Sequence, residues 1–321
     1  MTADRYGAVP TGEYTALASL RDTTSVRSIA SGAPQVPSGA SPAPGAPGPG
    51  ALSRSSGATR RDRESHWRPQ IPPQHGAWAF LIVPVLCGFA VAGSSAAGWL
   101  LLAAWVCAYP VGYYLGRALT ARARRGSWTR LARRERSRAI PWAVLTAALG
   151  LPLAVTRPWL LAVAGALLVL WAIGLVIAAR RGERSLATDL LLVAQAALAL
   201  PPAVAVVAGP AALTGGLARP TLEATVIVAG YLVGSVLHVK SLLREAGNVR
   251  FHRVNVAWHG VLALGAALAS TWWLVGVLPA LARTILLRPG MRPAMIGGVE
   301  ALVAGLVVLA AFLAVQVGSS G

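Results

Sequence analysis

From Ala77 to the end of the chain one pattern repeats: runs of about 17 to 23 apolar residues, with most of the Arg gathered in every second interval between them. Each run is long enough to cross the hydrocarbon core of a bilayer as a helix. The runs fall at 77–93, 95–115, 140–156, 158–178, 187–208, 221–242, 256–272, 273–289 and 296–318. The stretch 256–289 also reads as one long helix, which would leave eight spans; a break near Ser270-Thr271-Trp272-Trp273 makes nine, and paired Trp favours a membrane interface. The first 70 residues follow no such pattern. Ser31 to Gly50 is Pro, Gly, Ala and Ser almost throughout, and cannot bury enough surface to offset its ordering entropy. The expected architecture is an all-α polytopic bundle over 71–321, preceded by a disordered tail over 1–70.

Composition sharpens this. Residues of the set AVILMFWYC make up 55% of the 321 positions, charged residues only 12%, and mean hydropathy is +0.59. So few charges cannot keep that much apolar surface soluble, and soluble, collagen-like and wholly disordered classes are excluded. The net charge of +18 then reads as orientation instead of nucleic-acid binding. With nine spans and the N-terminus inside, 27 of the 29 basic residues fall on the cytosolic side, and only Arg157 and Arg219 fall outside. Lys occurs once, at Lys240, against 28 Arg, the bias of a GC-rich bacterial genome. The expected location is therefore a bacterial plasma membrane, with a cytosolic N-terminus. Cys87 and Cys107 lie in apolar runs and read as small buried hydrophobes, not as a disulfide.

The interval after the second run is the most basic: nine Arg between Arg117 and Arg138, against Glu135 alone, with Trp128 and Leu131 interleaved. It reads either as a determinant of orientation or as an amphipathic helix lying on anionic headgroups. Elsewhere the polar groups gather at the cytosolic ends of the runs, where they would line a cavity open to the cytosol. Three clusters carry the chemistry. The first, Gln74-His75-Gly76-Ala77-Trp78, places a His before the first span, a Gly that admits a close backbone, and an interfacial Trp. The second, Glu183 to Asp189, opens the fifth span, with Ser185 or Thr188 as its cap, Asp189 against the helix dipole and Arg184 beside Glu183. In the third, which ends the sixth span, His238, Ser241 and Glu245 share a face, Lys240 and Arg244 take the other, and Gly247 or Asn248 stops the helix. Asn255 and His259 follow. Such groups are costly in a membrane and mark functional positions.

The stretches QHGAWAFLIVPVLCG (74–88), ERSLATDLL (183–191), HVKSLLREAGN (238–248) with His259, and IGGVEAL (296–302) resemble the YwiC-like family of bacterial membrane proteins. That resemblance carries no established activity with it. In topology the chain is also similar to the UbiA family of intramembrane prenyltransferases: nine helices, a cytosolic N-terminus, and rich cytosolic loops after spans two and six. The resemblance would imply Mg²⁺ and a prenyl diphosphate held by Asp-rich loops. Here Val111 to Arg117 holds no acid, and Glu245 alone follows span six, so that chemistry does not carry over.

No metal cluster, cofactor fingerprint or nucleophile–base pair stands out. The expected function is a cytosol-facing polar pocket for a lipid or isoprenoid headgroup. His75, His238, Lys240 and Arg244 would meet anionic groups, partnered by Glu183, Asp189 and Glu245. A prenyl transferase without Mg²⁺, a transporter and a membrane assembly factor stand as alternatives.

Overall fold

The computed structural model describes residue 72 and residues 77–181 and 185–317. The tail, His75, Gly76, Glu183 and Arg184 lie outside the described residues. The described residues are mostly helical and contain no strand. The helices, in order, are α1 (Ala77–Ala92), α2 (Ala96–Arg125), α3 (Arg130–Thr156), α4 (Trp159–Arg181), α5 (Leu186–Ala197), α6 (Leu200–Ala208), α7 (Ala218–Leu243), α8 (Val249–Ala269), α9 (Leu274–Leu286) and α10 (Pro293–Gln316). Single 3-10 turns at Pro210–Leu213 and Thr271–Trp273 join α6 to α7 and α8 to α9.

Counting α5 and α6 as one, six helices among the described residues are long and apolar enough to cross a bilayer. The break between α5 and α6 falls at Leu198–Ala199, inside what the sequence reads as one run. Pro201 and Pro202 cause it: their rings oppose the carbonyls four residues back and they supply no N–H. The chain also breaks at Ser270, so 256–289 is two helices and not one. The caps follow the sequence chemistry. Ser95, Thr129, Ser185 and Asn248 each accept a backbone N–H with their side chains at the start of α2, α3, α5 and α8.

Two expectations change. The basic interval at 117–138 is not a separate helix lying on the surface. Both flanking helices run on through it, leaving a turn of residues 126–129 with Gly126 at φ +65°. Thr129 caps α3 directly after that turn, so nothing in the sequence stops either helix earlier. The third cluster also ends sooner than expected. α7 stops at Leu243, Gly247 turns the chain at φ +85°, and Asn248 starts α8 instead of finishing α7. Glu245 is therefore off the helix, and it cannot share a helical face with His238.

The core is built around α1, which is apolar on every side and so is best placed inside. Its Val83, Cys87 and Ala90 pack with Leu200 and Val204 of α6, Val228 and Tyr231 of α7, Val277 of α9 and Val307 of α10. Gly88 allows the contact: a Cβ there would stand 2.8 Å from Ala203 Cβ and 3.0 Å from the Leu200 carbonyl. Cys87 and Cys107 are both buried and free, as expected. By contrast only 6% of the apolar window of α4 is buried, leaving Leu161, Leu168, Val169 and Ile173 exposed. Water would disfavour that surface strongly; lipid chains would not.

Candidate functional site

Contacts between the helices fix which of their ends coincide. Lys240 Nζ near the end of α7 is 2.8 Å from Asp189 Oδ2 in the first turn of α5. His238 of α7 faces Glu300 of α10, and Thr284 of α9 faces His259 of α8. All these groups lie within about 15 Å of one end of the bundle, at 1.5 Å per residue.

At the centre is Glu300. Its carboxylate pairs with the Arg283 guanidinium and accepts from the Ser235 hydroxyl. His238 Nε2 lies 3.9 Å from Glu300 Oε1, and the Tyr231 hydroxyl donates to the Glu300 carbonyl at 3.5 Å. The Arg283 guanidinium stands 5.7 Å from the centre of the Tyr231 ring. Arg283 is buried, and its side chain is only 3% exposed against 12% for Glu300. Nε and Nη2 of Arg283 and both ring nitrogens of His238 have no hydrogen-bond partner among the described residues. Buried donors in that state are rare, since each forgoes the water it would otherwise bind.

A second layer supports this one. The Ser241 hydroxyl donates to the His238 carbonyl at 2.7 Å and accepts from Asn255 Nδ2 at 3.3 Å. His259 Nδ1 is 2.9 Å from the Asn255 carbonyl. A carbonyl only accepts, so Nδ1 carries a proton, and Nε2 faces Thr284 Oγ1 at 3.5 Å. Gly234 lets the ring in: a Cβ would lie 2.7 Å from His259 Nε2. Gly230, four residues earlier, accepts from Trp258 Nε1 at 2.9 Å through its carbonyl. The pair is a small-xxx-small seam that brings α7 and α8 together.

Of the residues expected at a site, His238 and His259 meet here. Lys240 and Asp189 form a separate pair on another side of α7. Asn248 Nδ2 donates to Glu245 Oε2 at 2.8 Å, which makes those two part of a turn. Arg244 is exposed and ends α7. Trp78 stacks edge-on against Tyr109, 5.4 Å between ring centres, away from the cluster. Reading the sequence missed Arg283, Ser235, Tyr231 and Thr284. Arg283 falls inside the apolar run 273–289, and the small residues Gly276 and Ala280 at seven and three positions before it mark the buried face of α9. Among the described residues no group of three or more His, Cys, Asp or Glu side chains is placed to hold a metal ion.

No curated protein and no solved structure matches the chain. A sequence-family model does. It spans two of the four segments that carry the resemblance, those at 74–88 and 183–191, and stops before the segments at 238–248 and 296–302. Residues 71–204 of this chain, from just before α1 to the middle of α6, match the family described as YwiC-like protein.

Proposed function

We propose that this chain is a multi-pass plasma-membrane protein that holds the anionic headgroup of a lipid or isoprenoid in a polar site at the cytosolic end of the bundle. Nine spans with the N-terminus inside follow from the distribution of Arg, and the Arg-rich hairpin of α2 and α3 then faces the anionic inner leaflet. The order of spans in the sequence resembles that of UbiA-type enzymes, but the acids that would hold Mg²⁺ and a diphosphate are missing from Val111 to Arg117, which favours binding over prenyl transfer.

One observation carries the reading. Arg283 is a buried cation whose Nε and Nη2 have no hydrogen-bond partner among the described residues, beside a His238 ring in the same condition. One carboxylate, Glu300, balances the charge but leaves these donors unmet. A phosphate or carboxylate oxygen between Arg283 and His238 would satisfy them, and such an acceptor is what a headgroup brings.

The experiment is ligand-dependent stabilisation of the purified protein in a neutral detergent. Dodecyl phosphate should raise the unfolding temperature of the wild type, and dodecyl maltoside at equal concentration should not. Arg283→Gln should remove the shift. An equal shift in Arg283→Gln would count against the site.

A further inference from the structure

The nine Arg of the hairpin are accompanied by one acid, and that acid is buried: Glu135 is 3% exposed. A carboxylate needed only to temper the charge would sit in water. Burying it is costly unless it orders the groups that pair with it. Glu135 Oε1 accepts from Arg138 Nη1 at 3.1 Å, and Oε2 lies 4.0 Å from Arg117 Nε. Arg117 on α2 and Arg138 on α3 are equidistant from the turn, so they face each other across the hairpin. Both also lie where the apolar stretches end, next to Gly116 and Ala139.

Arg117 is fixed further by Tyr113, whose hydroxyl accepts from Nη1 at 3.0 Å and whose ring centre is 5.6 Å from the guanidinium carbon. Even so, the side chains of Arg117 and Arg138 remain 45% and 25% exposed. Farther out, Arg122 and Arg136 are spent on the Trp128 ring, 4.7 and 5.2 Å from its centre. Arg124, Arg125, Arg133 and Arg134 are exposed at the tip.

We infer that Arg117 and Arg138, held by Glu135, form a seat for one phosphate group of an anionic lipid. Two guanidiniums against one carboxylate leave the trio with a single positive charge, matching a phosphodiester. Their planar forks suit its oxygens, and their level at the end of the apolar stretch is where lipid phosphates lie. This deepens the reading of the hairpin as a contact with the anionic leaflet and is independent of the site at Arg283.

The test uses the full chain in detergent, titrated with phosphatidylglycerol and read by native mass spectrometry, with phosphatidylcholine and inorganic phosphate as comparators. Glu135→Gln decides the matter, because it makes the hairpin more positive. Diffuse attraction predicts tighter binding. The seat predicts binding weaker by about threefold or more, because the two Arg lose their orientation. Replacing both Arg117 and Arg138 by Gln should weaken binding about tenfold, while the same change at Arg124 and Arg125 stays within about twofold. If Glu135→Gln does not fold, Arg117→Lys keeps the charge but loses the fork, and about a threefold loss is again expected. Tighter binding by Glu135→Gln, unchanged binding by Arg117→Lys, or equal losses at base and tip would overturn the seat. Competition by inorganic phosphate at the lipid's own concentration would overturn the lipid assignment and make free phosphate the ligand. The hairpin variants are also compared in an Arg283→Gln background, so that a lipid held at the Arg283 site is not counted. An N-terminus found outside would change the leaflet and not the ratios, so the two readings fail separately.

Discussion

Replacing Glu300 by Gln tests the buried cluster at its most sensitive point. The substitution keeps the size of the side chain and an oxygen for the Ser235 hydroxyl, but removes the charge opposite Arg283. The guanidinium, 3% exposed, is then a cation with no ion-pair partner among the described residues. Removing one partner of a buried pair costs about 3–5 kcal/mol. The Tyr231 ring face, 5.7 Å away, and the 12% exposure of Glu300 soften that, so a loss of about 3 kcal/mol is expected. Replacing both members by Met should recover most of it, because no unpaired charge remains and the volumes are similar; the coupling should then be about 2 kcal/mol. The assay is reversible unfolding in mixed micelles followed by Trp fluorescence. Glu300→Gln within about 0.5 kcal/mol of wild type, or a double variant as unstable as the sum of the singles, would refute the reasoning.

The remaining predictions concern packing, pairing and orientation. Gly276→Ala should cost about 1–3 kcal/mol in the same assay, because its Cβ would stand 2.7 Å from Val307 Cα and push α9 off α10; Gly305→Ala, with nothing within 4 Å, should be neutral or slightly stabilising. Lys240→Met and Asp189→Asn should each cost about 1 kcal/mol or less, with a double variant little worse than either, since side chains exposed by 11% and 29% gain modestly from pairing. A Cys introduced at Ser55 should resist an impermeant maleimide in intact cells and react after lysis, against a silent background because Cys87 and Cys107 are buried. Reaction from outside would reverse the orientation.

The sequence displays its helices clearly because length and apolarity alone decide a membrane span. The break at Ser270, the cap at Ser185 and the burial of both Cys could all be read from local chemistry. Helix ends in the polar intervals could not. Arg is a good helix former, so charge alone stops neither α2 at 115 nor α3 at 140, and the hairpin emerges only once Gly126 and Thr129 are taken as the turn. The cluster was legible by side and not by membership. His238 and His259 stand out as costly groups at one end of the helices, and Glu300 lies in the segment 296–302. Choosing Arg283 over Lys240 or Arg244 required knowing which face of α9 is buried. That depends on packing against Val307 and Tyr231, far away in sequence, and local pattern does not encode it.

The central claim is that donors buried at Arg283 and His238 hold an anionic headgroup. Mass spectrometry of the lipids that co-purify with the wild type and with an Arg283→Gln, His238→Gln double variant tests it most directly. The account predicts an anionic lipid or isoprenoid phosphate enriched in the wild type over the bulk membrane and reduced about tenfold in the variant, with both proteins folded. Identical lipid profiles would contradict it.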